Sequence, residues 1–121
     1  MTEKKENTTF QRSSEIIELI HLIDFPDAVD RLYQKGVINL PNSNLDIHLH
    51  LNMLSAMAMK IVENSEKKHF MHHRATRTIV GAAIYVASKK LGITTTYREL
   101  GQALGLTPQS IVNLTRQFNN T

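Results

Sequence analysis

Residues 76–92, "TRTIVGAAIYVASKKLG", leave almost no polar face. Wound as a helix, Ile79, Val80, Ala82, Ala83, Ile84, Val86 and Ala87 point all round the axis. Such a helix must be covered by neighbours on several sides. Gly81, Ala82, Ala83 and Ala87 are small enough to let those neighbours come close. Lys89 and Lys90 fall in the last turn, where positive charge suits the helix dipole, and Gly92 supplies the stop. One buried helix needs others around it, so this segment predicts an all-α domain.

Downstream, "TTTYRELGQAL" opens with Thr96 and has Glu99 three positions later, the pattern of a capping box. "LTPQSIVNLTRQF" sets Thr107 as N-cap with Pro108 at the first helical position. Leu100, Leu104, Leu106, Ile111 and Leu114 are spaced to lock two short helices together. Gly101 is small where they cross, and Gly105 sits where the turn needs positive φ. Residues 97–118 therefore predict a helix-turn-helix.

With Ile111, Leu114 and Phe118 inward, the residues Gln109, Ser110, Asn113, Arg116 and Gln117 face outward. Gln and Asn pair bidentately with adenine, and Arg pairs with guanine or phosphate. A helix N-terminus also favours phosphate. This face carries little charge, so attraction to a nucleic-acid backbone falls to Lys89, Lys90, Arg98, Arg74 or Arg77. The competing reading is an ordinary helix pair with a solvated rim.

Upstream, Ile47, Leu51, Leu54, Met57, Ala58, Ile61 and Val62 keep a helical period and predict a long helix over 46–64. Met53, Met57 and Met59 read as core filler within it, or else as a pliable partner groove. "VINLPNSN" reads as a loop. "DAVDRLYQKG" predicts a short helix stopped by Gly36. Before it, Ile16, Ile17, Leu19, Ile20 and Ile23 predict an N-terminal helix over 13–24, ended or kinked at Pro26. Residues 1–12 offer nothing to bury and read as a disordered arm, leaving 13–121 as a single domain.

The stretch from about Arg74 to Phe118 resembles the cyclin-like repeat of the transcription initiation factor B family of archaea and eukaryotes. The shared pattern is a small-residue helix ending in a "YIAS"-like segment, a "T..E(I/L)" helix, a "GV/GL" turn and a final helix. Here these are "AAIYVASKKLG", "TYRELGQALGL" and "TPQSIVNLTRQF". The resemblance implies a single cyclin-like helical domain, with five repeat helices and the segment 13–24 as an extra one. It implies promoter-like double-stranded DNA as a partner, with components of the transcription machinery. This chain has one repeat where the family has two, and no cysteine for the family's zinc ribbon. The expectation is thus a transcription regulator or accessory factor rather than a complete initiation factor. Val112 stands where the promoter-reading helix commonly has Arg. The alternative is a cyclin-like protein–protein interaction module.

Composition agrees with a globular domain: 121 residues, 41% hydrophobic and 21% charged. The net charge of +3 is uneven, because residues 1–45 carry 5 Lys/Arg against 7 Asp/Glu and residues 46–121 carry 9 against 4. A basic second part suits a polyanionic partner. Without cysteine there are no disulfides or thiolate metal sites. The polar N-terminus "MTEKKENTTFQRSS" lacks a signal-peptide core, and no apolar run reaches about 18 residues, so no membrane partner is expected. The expected location is the cytoplasm, in association with the nucleoid. His69, His72 and His73 lie close together, with His48 and His50 upstream. No acidic or thiol ligand completes a metal site there. Glu15, Glu18, Asp24, Asp27 and Asp30 read as helix surface. No phosphate loop, nucleophile elbow or paired carboxylate appears, so neither catalysis nor a cofactor is expected.

Overall fold

A computed structural model describes residues 23–40, 46–65 and 74–119. They form five helices: α1 (Phe25–Gln34), α2 (Ile47–Ser65), α3 (Thr76–Leu91), α4 (Tyr97–Leu104) and α5 (Pro108–Asn119). There is no strand among the described residues. One isolated bridge, in which Asn39 and Thr94 exchange backbone hydrogen bonds of 2.9 and 3.0 Å, ties the α1–α2 loop to the α3–α4 linker. The domain is all-α and cyclin-like.

The apolar central helix is where the sequence predicts it. α3 packs against α1, α2, α4 and α5. Ten of its 16 residues are buried, from Thr78 through Ser88. Gly81 explains the close approach: a Cβ there would stand 3.1 Å from Leu104 Cδ1 and 3.4 Å from Ile111 Cδ1. One missing side chain thus seats both α4 and α5 on α3. The helix ends at Gly92, whose φ of 70° is the left-handed stop.

Two expectations need correction. Pro26 is not a boundary ahead of the short helix; it lies in the first turn of α1. Asp24 is the N-cap, and its Oδ1 accepts the Asp27 N–H at 3.0 Å. Proline suits that turn because its absent N–H would have no helical partner there. Ile23 and Asp24 accordingly precede the helix as non-helical residues, with Ile23 buried. The rest of the expected 13–24 helix, the 1–12 arm and His69, His72 and His73 lie outside the described residues.

The second correction concerns α2. Leu51, Leu54, Ala58 and Val62 are buried, and Met57, Met59 and Ile61 pack against the core. Ile47, Leu49 and Met53, by contrast, are 44%, 53% and 46% exposed. Met53 is therefore not core filler. Ile47, the first residue of the helix, lies on the apolar stripe but at its uncovered end.

Candidate nucleic-acid interface

The α4–α5 pair is built by local signals that act at short range. Thr96 Oγ1 accepts the Glu99 N–H at 3.1 Å and starts α4. Gly105 adopts φ 70° and stops it. The Leu106 N–H then donates to the Gly101 carbonyl at 2.8 Å, closing the turn. Gly101 lies so near this turn that a Cβ would stand 2.6 Å from the Leu106 carbonyl oxygen. Thr107 Oγ1 accepts the Ser110 N–H at 3.3 Å and caps α5. Leu100, Ile111 and Leu114 are fully buried, while Leu104 and Leu106 are half-buried.

The outer face of α5 follows directly. Ile111, Leu114, Thr115 and Phe118 are buried, which leaves Gln109, Asn113 and Arg116 exposed along one stripe. Gln109 Nε2 donates to Asn113 Oδ1 at 2.9 Å, so the two amides form one unit. Val112 and Gln117 are half-buried beside them. Ser110 is also half-buried, and its hydroxyl pairs with Thr107 Oγ1 at 2.7 Å.

The helix pair, its glycine turn and the helix it seats upon fall within one family match. The model of the transcription factor TFIIB repeat matches residues 38–121. The chain belongs to the TFIIB repeat family. The match takes in α2 to α5, and α1 packs on α2 and α3 from outside it. No curated protein and no solved structure matches the chain. A TFIIB repeat is a transcription-factor domain and not an enzyme class.

Cations surround the α4–α5 pair of this TFIIB repeat from several elements. Lys89 Nζ lies 5.2 Å from the Tyr85 ring centroid. Tyr85 in turn stacks on Tyr97, with ring centroids 4.0 Å apart and planes at 21°. Burial holds the Tyr97 phenol above its ordinary pKa, and the neighbouring Tyr85 hydroxyl adds to this. Lys89 and Arg116 pull the other way, which places both cations near the same ring. The tyrosine pair therefore ties α3 to the start of α4. Sequence reasoning missed it, because two tyrosines twelve positions apart on different helices carry no local signal.

The remaining cations are dispersed. Arg77 comes within 3.4 Å of the Cβ position at Gly105, so it flanks the α4–α5 turn. Arg98 is exposed in the first turn of α4. Lys90 is exposed at the end of α3, where it lines a recess with Asn64, Ser65, Phe118 and Asn119. Away from this region, the acidic residues serve the helix they sit on. Asp27 pairs with Arg31 at 2.9 Å, and Asp30 accepts from Gln34 Nε2 at 3.0 Å. Asp46 Oδ1 accepts the His48 N–H at 2.9 Å. No cluster of His, Asp or Glu suited to a metal occurs among the described residues. None of the described helices is long and apolar enough to cross a membrane.

Proposed function

We propose that this TFIIB repeat binds duplex DNA as a transcription regulator or accessory factor, with α4–α5 as a helix-turn-helix. The observation that carries the reading is the exposed stripe of Gln109, Asn113 and Arg116 on α5, above a fully buried apolar stripe. A helix presented in this way enters a major groove with its first turns nearest the bases. Gln109 and Asn113 then meet base edges, while Ser110 holds the helix start through Thr107. Arg116 lies further along and meets phosphate. Lys89, Lys90 and Arg98 supply the rest of the backbone attraction, because phosphate contacts position the protein and base contacts specify the site.

Titration against random duplexes at several salt concentrations tests this. Binding should weaken steeply as salt rises. Lys89→Ala with Lys90→Ala should flatten the slope of log K against log salt by up to about 1.8 units if both lysines touch phosphate. Absence of duplex binding at low salt would reject the proposal.

A second reading, a protein-interaction module, has one observation in its favour. Leu49 and Met53, one helical turn apart, are both exposed on the outward face of α2. Association through that strip would be nearly insensitive to salt, since apolar burial carries no counterion release.

A further inference from the structure

We infer that α5 selects A·T base pairs, with Gln109 and Asn113 acting as one coupled reader of adenine and Val112 as the contact for the thymine methyl. This inference rests on the DNA-binding reading proposed above and assigns its sequence class.

The argument starts from the bond between the two amides. Gln109 Nε2 donates to Asn113 Oδ1 at 2.9 Å, across one helical turn. That bond consumes one hydrogen of Gln109 and one lone pair of Asn113. It also orients both groups: Gln109 keeps its carbonyl oxygen as a free acceptor, and Asn113 keeps both Nδ2 hydrogens as donors. The outward edge of the pair is thus an acceptor beside donors.

Base edges in the major groove differ in what they offer to such a pair. Adenine presents a donor at N6 and an acceptor at N7, which complement an acceptor beside a donor. Guanine presents two acceptors, O6 and N7, and so has no donor to give the Gln109 oxygen. Cytosine offers only its N4 donor there.

Val112 strengthens the same preference from the other strand. It precedes Asn113 and lies three positions after Gln109, half-buried beside the exposed stripe. An apolar side chain can make no hydrogen bond to guanine, but it does pack on the C5-methyl group of thymine. Reader and neighbour therefore complement the two halves of one kind of base pair.

The test is selection of binding sites from a random duplex library with the full chain, followed by titration of the selected site. The expected result is enrichment of A·T pairs, with A·T→G·C replacement at the contacted position weakening binding by roughly 5- to 150-fold. Gln109→Ala and Asn113→Ala should each remove most of that discrimination. Together they should remove less than the product of their separate effects, because they act as a unit. Replacing the contacted thymine by uracil, which lacks the methyl, should weaken the wild type and weaken Val112→Ala less. All three substitutions lie outside the fully buried core, and circular dichroism verifies that each variant is folded. Selection of G·C pairs, absence of any preference, or additive mutants would overturn this inference while leaving duplex binding intact. Failure to bind any duplex at low salt would overturn both this inference and the DNA-binding reading.

Discussion

α5 and α2 are both amphipathic helices packed on α3, yet they present opposite surfaces to water. The outer stripe of α5 is Gln109, Asn113 and Arg116 over a buried stripe of Ile111, Leu114 and Phe118. The first turns of α2 instead expose Ile47, Leu49 and Met53, while burial begins at Leu51 and runs on through Val62. Hydrophobic periodicity separates the two faces cleanly in α5 and less so in α2, where Leu49 and Met53 are apolar on the outer face. The helices also differ in coverage. At α2 the inward stripe starts before its cover does, so Ile47 is exposed at the helix start, while Leu49 and Met53 lie on the outward face roughly 160° from that stripe. Periodicity therefore reports which face turns inward, but not how far along the helix there is something to turn towards.

The largest test breaks the shared foundation of the two helices. Ala83 is fully buried in α3. Ala83→Asp should cost roughly 3 kcal/mol or more, because a carboxylate without a partner would be buried. Thermal unfolding followed by circular dichroism measures it, and an unchanged melting temperature would show that α3 is not the core.

A smaller effect should be confined to the α5 side of the comparison. Gly101→Ala places a Cβ 2.6 Å from the Leu106 carbonyl oxygen, which is backbone and has little room to move. The expected loss is about 1–3 kcal/mol by denaturant titration. Retained stability would mean that the turn relaxes freely.

A third substitution should act with the opposite sign. Ser88, Thr95 and Thr115 each bury a hydroxyl oxygen without a hydrogen-bond partner. Thr115→Val keeps the shape and removes that oxygen, so it should stabilise the domain by about 1 kcal/mol. A loss of stability would reveal a hydrogen bond that matters.

The smallest effect belongs to α2. Leu49→Lys with Met53→Lys should change stability by no more than about 0.5 kcal/mol, since both side chains are about half exposed. A large loss would show that this strip is covered. If the strip is a docking surface, the same variant would lose its partner while duplex affinity stayed at the wild-type level or rose with the added charge.

Much of the fold was legible in the residues because its decisive signals are local. Gly92 and Gly105 stop helices through their own backbone conformation, and Thr96 and Thr107 cap helices through bonds to residues three positions on. The lack of a polar face on 76–91 is likewise a property of that segment alone. The same holds for the polar stripe of α5, since helical spacing places Gln109, Asn113 and Arg116 together. Pro26 was misread because proline both breaks a helix interior and suits a first turn, and only the Asp24 cap decides between them.

Tertiary structure decided what depends on distant parts of the chain. It brought Lys89 over the Tyr85–Tyr97 stack, and Arg77 to the Gly105 turn. It also left Ile47 exposed although it lies on the inward stripe of α2. Caps, stops and helical faces depend on dihedral angles and on neighbours within one turn, which the residues at hand dictate. Burial and encounters between helices depend on how far each helix extends past its neighbours, and that is settled only when all of them pack at once.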